Sequence, residues 1–226
     1  MTSGERTRKF LRPVTASQSP SDISTLDLLR AGLRHGAPRL HPVDPEVVRV
    51  RAAVAIIVRP LLGDVELLFI RRAAFESDPW SGDIAFPGGR ISGPEEPPRL
   101  AAERETREEV GIDVSTAECL GQLDDVVGGD GTVVVSGFVY TLRSPVTLTT
   151  NHEVASAGWV PVARLAEPER QTMSSFRYKD RDVRLPAIRV FDDDSPHLWG
   201  LTYQFVERFM RTIGREIPVM PWRDSD

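Results

Sequence analysis

The sequence holds one cysteine, Cys119, in 226 residues. That excludes an intramolecular disulfide and a cysteine-built zinc cluster, and it fits a reducing compartment, so a cytoplasmic protein is expected. Cys119 itself reads as a small buried residue. No apolar run approaches the ~20 residues of a membrane span; the longest, Ala52 to Val58, suits a buried strand. Positive charge is in the minority, with 28 Lys and Arg against 33 Asp and Glu and a formal charge of −5. This argues against a nucleic-acid partner held by bulk phosphate electrostatics and leaves a small anionic ligand open. The polar, Arg-containing start lacks the apolar core and cleavage site of a secretory signal. Ser and Pro crowd Thr15 to Asp22, which predicts a disordered leader over residues 1–22.

Beyond the leader, Ser24 or Thr25 is placed to cap a helix carrying Ile23, Leu26, Leu29 and Leu33 and ending near Gly36 and Pro38. With the Pro-punctuated stretch to Pro45 it forms a helix-and-linker region over residues 23–49, and the main domain occupies 50–226. Ala52 to Val58 and Val65 to Ile70 read as a hairpin across Gly63-Asp64. Further strands are expected at Glu118 to Leu123, Thr132 to Leu142 and Ala155 to Val160, the first two separated by a flexible Gly128-Gly129-Asp130-Gly131 loop. Phe176 to Val190 reads as a hairpin turning at Lys179 to Arg181, and Leu198 to Ile213 as a closing helix. Pro98 to Val110 suits a helix because Pro is tolerated in the first turn and Gly111 supplies a left-handed stop. Mixed α and β layers follow, an α+β class.

The chemistry is concentrated between Gly88 and Ile112. Gly88-Gly89 precedes Arg90 to Glu96, and the helix carries Arg104-Glu105-Thr106-Arg107-Glu108-Glu109. At about 100° per residue, Glu105, Glu108 and Glu109 share an arc of roughly 100°, a face of carboxylates suited to a hard cation, Mg²⁺ or Mn²⁺ rather than zinc. Interleaved Glu and Arg on a helix are most often a solvated face. The glycine turn changes the balance, because backbone N–H groups can approach a phosphate or metal where no Cβ intervenes.

This stretch resembles the Nudix box, G-x5-E-x7-R-E-U-x-E-E-x-G-U, where U is bulky and apolar. Two departures stand out. Counting from Gly89 makes Glu95 the first Glu, with eight rather than seven residues before Arg104; counting back from Arg104 makes it Glu96. Thr106 replaces the first apolar residue. The expanded spacing is similar to that of the coenzyme A pyrophosphatase branch, and so is Leu67-Leu68-Phe69-Ile70-Arg71 leading to Gly82-Asp83-Ile84-Ala85-Phe86-Pro87-Gly88-Gly89. Trp199-Gly200 resembles a Trp-Gly near that branch's final helix. An Arg the branch carries four residues before Gly82 is Asp78 here.

The resemblance implies an α/β/α sandwich with a mixed central sheet. It further implies Mg²⁺- or Mn²⁺-dependent hydrolysis of a nucleoside diphosphate linked to another moiety: coenzyme A first, with ADP-ribose, NADH or dinucleoside polyphosphates as alternatives, and a non-catalytic nucleotide-binding module as a third reading. Glu105, Glu109 and Glu108 are the implied metal ligands, and Arg104 orients a neighbouring Glu. The general base is a box glutamate or Glu153, in Asn151-His152-Glu153-Val154. Gly88, Gly89, Arg71 and Arg72 are candidates for the substrate's phosphates, and Trp80 and Phe86 for its base. His152 is polar enough to help, although a lone loop histidine is more often incidental, while His35, His41 and His197 have no ligand spacing. The N-terminal helix and the 176–190 strands are additions of a kind that can form a homodimer interface.

Overall fold

The computed structural model describes residues 24–74, 81–128, 131–178 and 181–218. The expected leader therefore lies outside the described residues, as do Asp78, Trp80 and the 179–180 turn. Helix α1 (Thr25–His35) is capped by Ser24, whose hydroxyl accepts the Asp27 N–H at 3.2 Å, and it gives way at Gly36. The linker is strapped to the body where the Arg39 and His41 N–H groups donate to the carboxylates of Asp124 and Asp125, at 2.8 and 2.9 Å.

Strands β1 (Val50–Leu61) and β2 (Asp64–Arg72) form the expected hairpin, with Leu61 opposite Asp64. Gly63, at φ 75°, takes the left-handed turn position that a Cβ disfavours. After β3 (Ile84–Ala85) and β4 (Gly88–Arg90) comes helix α2 (Pro98–Val110), then β5 (Glu118–Gln122), β6 (Val126–Val127), β7 (Val133–Thr141) and β8 (Val154–Pro161). A short helix α3 (Val162–Leu165), the pair β9 (Gln171–Tyr178) and β10 (Arg181–Ile188), and helix α4 (Gly200–Thr212) complete the order.

The main sheet runs β3-β2-β1-β7-β5, with β4 also on β1, β6 on β7 and β8 on β2. β1 and β7 pair in parallel and the other pairs are antiparallel, so the sheet is mixed. β1 is covered on both faces along its middle, where Ala52 to Val58 is continuously apolar. Ile56 and Val58 point into one cluster with Leu29 of α1 and Phe205, Val206 and Phe209 of α4. Ala55 and Ile57 point into the other with Ala101, Ala102 and Val110 of α2. This is the α/β/α sandwich, each large aliphatic side chain in it contributing ~1.5–3 kcal/mol by burial.

Ahead of the expected Gly128 to Gly131 loop the structure adds β6, which pairs with β7, and Gly128 N–H donates to the Val133 carbonyl at 2.8 Å; residues 129–130 lie outside the described residues. Two expectations change. The late hairpin starts at Gln171 rather than Phe176. Cys119 is only partly buried, because it lies on β5, at one end of the sheet order, opposite Tyr140.

Candidate active site

Helix α2 starts at Pro98, whose missing N–H is one the first turn does not use, and stops at Gly111, φ 73°, whose N–H donates to the Arg107 carbonyl. Between them the helix turns Ala101, Ala102, Thr106, Glu109 and Val110 toward the sheet. Thr106, in the place of an apolar residue, is fully buried, and its hydroxyl donates to the Ala102 carbonyl at 2.7 Å. That bond satisfies the polar atom inside the helix, which is how a threonine is tolerated there.

β4 lies across the helix because it pairs with β1, Gly89 facing Ala53 and Gly88 facing Val54. Gly88 N–H donates to Glu109 Oε2 at 2.8 Å. A Cβ on Gly88 would sit 2.3 Å from the Ala53 carbonyl oxygen, and one on Gly89 would sit 2.5 Å from Cδ of Glu105. The two glycines therefore let the backbone close onto two carboxylates.

Arg104 holds the corner together. Its Nε donates to Glu96 Oε1 at 2.9 Å, Nη1 to Glu105 Oε1 at 2.7 Å, and Nη2 to the Arg90 carbonyl at 3.1 Å. Glu96 in turn accepts the Ser92 N–H. The Arg104 guanidinium and this N–H hold the Glu96 carboxyl below the usual carboxylate range. Of the two glutamates that the spacing left open, Glu96 meets Arg104, while Glu95 is exposed.

Glu109 is 1% exposed. Burial pushes its carboxyl up to about 7, opposed by the Gly88 N–H and the charge of Arg72, and reinforced by the charges of Glu105 and Glu153. Glu153 reaches this neighbourhood through a loop bonded to the end of α2: Thr149 N–H donates to the Val110 carbonyl at 3.0 Å and Asn151 N–H to that of Glu109 at 3.1 Å. On the other side, Ala73 N–H donates to the Glu153 carbonyl at 2.7 Å. Asn151 is the residue that sequence reasoning passed over; its Oδ1 accepts the Glu153 N–H at 2.9 Å. The Asn-x-Glu order was the available signal for such a turn.

Of the proposed phosphate contacts, Arg72 acts on Glu109 while Arg71 acts on Asp193. A register shift between Arg71 and Arg72 in the β2–β8 pairing accompanies this divergence. Arg71 Nε is buried without a hydrogen-bond partner. Phe86 does not serve as a base platform: it is 2% exposed and stacks on Phe69, ring centroids 4.8 Å apart, in the core. His152 Nε2 lies 4.0 Å from Glu153 Oε1, while His197 Nδ1 and the Ser174 hydroxyl share a hydrogen bond of 2.7 Å.

Among the described residues no three His, Cys, Asp or Glu side chains gather around one point. The contacts of the corner explain this: Glu105 leans on Arg104, Glu108 lies 3.5 Å from the same guanidinium, and Glu109 is on Gly88. The donor chemistry nonetheless fits a hard divalent cation. Glu105, Glu108 and Glu109 offer only carboxylate oxygens from one helix face, and Glu109 is buried with like charges of Glu105 and Glu153 acting on it, which a bound cation would offset.

A mixed sheet between helices, with a glycine turn closed onto a helix of carboxylates, defines the class to which the chain is assigned. The NUDIX domain model matches residues 49–179, more than half of the chain. The chain belongs to the Nudix family. It is 30% identical over 167 residues to the mitochondrial coenzyme A diphosphatase NUDT8 of Homo sapiens, covering 71% of this chain and 69% of that one. It is 33% identical over 126 residues to the ADP-ribose pyrophosphatase of Mycobacterium tuberculosis, covering 55% of this chain and 59% of that one. A crystal structure of a MutT/nudix family protein from Enterococcus faecalis superposes with a TM-score of 0.51 at 15% identity, over 85% of this chain and 75% of that one, a likeness of fold. The chain spans about half the length of several of the curated relatives it matches. No helix among the described residues is long and apolar enough to cross a membrane.

Proposed function

We propose that this chain hydrolyses the anhydride of a nucleoside diphosphate linked to another moiety, with coenzyme A or its derivatives as first substrate, in the cytoplasm. The observation that carries the reading is the closed corner: Gly88 N–H on a buried Glu109, Gly89 against Glu105, and Arg104 spanning Glu96 and Glu105. The likeness to a coenzyme A diphosphatase supports the coenzyme, and the likeness to an ADP-ribose pyrophosphatase favours ADP-ribose as the second reading. Both are nucleoside diphosphate anhydrides.

Glu105, Glu109 and Glu108 hold Mg²⁺ or Mn²⁺ in this reading. A bound divalent cation would screen the diphosphate, acidify a water and stabilise charge on the leaving phosphate. Arg104 keeps Glu105 and Glu96 aimed, through charge-assisted bonds that lose their direction if the planar guanidinium is replaced. Arg72, already acting on Glu109, meets the substrate's phosphate, and the backbone of Gly88 and Gly89 leaves room for it. Arg71, whose charge acts on Asp193, reaches the more distant part of the substrate. Water attacks phosphorus, one P–O bond of the anhydride breaks, and the proton of the water passes to a carboxylate, Glu153 or a box glutamate.

The test is a mass-resolved product assay at alkaline pH with Mg²⁺ or Mn²⁺, offering coenzyme A, ADP-ribose, NADH, a dinucleoside tetraphosphate and a nucleoside triphosphate. Adenosine 3′,5′-bisphosphate and phosphopantetheine are the expected products. AMP from ADP-ribose alone moves the assignment to the second reading, and binding without cleavage of any substrate overturns hydrolysis.

A further inference from the structure

The segment carrying Gly88 and Gly89 is pinned at both ends, and the two pins come from distant parts of the chain. At one end Gly88 bonds Glu109, and the Pro87 carbonyl accepts the Ala55 N–H at 2.8 Å. At the other end is Asp83. Its carbonyl accepts the Arg72 N–H at 3.0 Å, and its Oδ1 accepts the indole N–H of Trp199, also at 3.0 Å. Between the pins β3 pairs with β2 at two positions, Ile70 with Ala85 and Arg71 with Ile84, and Ile84 and Phe86 are buried in the core, so the part of the segment left to a polar anchor is its Asp83 end.

Trp199 lies outside the 49–179 stretch matched by the family model, 116 positions beyond Asp83. Its own base is fixed. Leu198 exchanges two backbone bonds with Ile188, both 2.8 Å, and the Trp199 carbonyl accepts the Tyr203 N–H at 3.2 Å. The helix that follows it is anchored by Phe205, Val206, Phe209 and Met210 in the core. An indole on so firm a base imposes its position on the loop carboxylate it bonds, rather than following it.

We propose that Trp199 is a positioning residue: its indole N–H holds Asp83 and thereby sets the 82–89 segment, with Arg72 at one end and the Gly88 N–H at the other, relative to Glu109. The kinetic consequence rests on the hydrolase reading above; the geometric consequence does not.

The test uses the full chain and three variants. Trp199→Phe keeps an aromatic ring and removes the donor, Asp83→Ala removes the acceptor, and Asp83→Asn keeps an acceptor oxygen. Amide hydrogen exchange on the metal-free, substrate-free protein comes first. Arg72 and Gly88 should exchange about two- to tenfold faster in Trp199→Phe, with β7 unchanged, as expected when one hydrogen bond of a local opening unit is lost. Under the kinetic assay, kcat should fall about tenfold with a smaller change in KM, a loss of alignment rather than of binding. Asp83→Ala should copy Trp199→Phe, and Asp83→Asn should recover most of the loss. Unchanged exchange at Arg72 and Gly88, or acceleration spread evenly over the molecule, overturns the proposal. If the parent chain cleaves nothing, the hydrolase reading falls while the exchange data still decide the positioning role. If Trp199→Phe does not fold, the Asp83 pair makes the same comparison.

Discussion

Glu109 and Glu118 are nine positions apart, and their surroundings push them in opposite directions. Glu109 sits in the corner between α2 and β4, where burial raises its carboxyl to about 7. Glu118 opens β5, where the guanidiniums of Arg30 and Arg143 lower its carboxyl to about 2. One carboxylate has been placed where burial outweighs the cation near it and the other where two guanidiniums bond it directly. The second arrangement is complete in itself and fastens α1 to the sheet. The first leaves a buried carboxylate with one backbone N–H on it, a place where an added cation would be compensated, as the proposed reading requires.

The largest expected effect comes from removing the Glu109 charge. Glu109→Gln should lower kcat by about 10³-fold, the scale seen when a group stabilising transition-state charge is lost. In the metal-free protein the same change should help the fold at high pH. The folded-state value, about 7, lies above the ordinary 4.5, so the stability linked to this group is full below about pH 4.5 and is lost as pH rises through 7. The limiting loss is about 3 kcal/mol. Denaturant melts of the metal-free parent should therefore fall between pH 5 and pH 8.5 relative to Glu109→Gln. Mg²⁺ or Mn²⁺ at pH 8.5 should restore the parent and move the variant less, since the variant keeps Glu105 and Glu108 but lacks the buried carboxylate. Parallel pH profiles for the two proteins would remove the contrast with Glu118 at its source.

Gly88 and Gly89 divide the corner into a part set by backbone and a part set by side chain. A Cβ on Gly88, at φ 150°, meets the Ala53 carbonyl at 2.3 Å and Val54 Cα at 2.6 Å, neither of which can retreat cheaply. Gly88→Ala should cost about 2–3 kcal/mol in a denaturation experiment. The three atoms nearest a Cβ on Gly89 all belong to the end of the Glu105 side chain, within 2.7 Å. Gly89→Ala should shift stability by less than about 1 kcal/mol and still reduce kcat more than about tenfold, because Glu105 must turn away from its place. Equal stability losses for the two variants would show that the side chain is no freer than the strand.

The sequence made the helix legible because three local rules agreed there: Pro98 at the start, Gly111 at the end and three glutamates on one arc, and α2 keeps those bounds. The β1–β2 hairpin was legible for the same reason at Gly63-Asp64. Short strands carry no such agreement. β3 and β6 have two residues each, too few for a period to register, and they exist because a neighbouring strand offers its edge. The choice between Glu95 and Glu96 depended on the path of a loop, which spacing alone does not fix. Arg71 and Arg72 are adjacent letters whose charges act in different places, and Phe86 beside a glycine turn belongs to the core. Trp199 and Asp83 were each visible in a motif, yet their bond spans 116 positions.

The smallest expected effect is at Glu118, and it sharpens the comparison because its sign is opposite. Arg30 donates to Glu118 through Nε and Nη2 at 3.2 and 3.0 Å, and Arg143 adds a third bond at 3.0 Å. Since the folded-state value is depressed, this stability is present above the ordinary 4.5 and is lost as pH falls through about 2. The side chains of Glu118 and Arg143 are 31% and 77% exposed, so water and salt screen much of the attraction. Glu118→Gln should therefore lose only about 0.5–1 kcal/mol at pH 7, with kcat unchanged. The difference from the parent should shrink in 0.5 M salt (roughly a 4 Å screening length) and close between pH 4.5 and pH 2. A gap that widened in acid, or a kcat that fell with α1 still docked, would mean that the brace and the site are not separate, and that the N-terminal helix reaches the chemistry through β5.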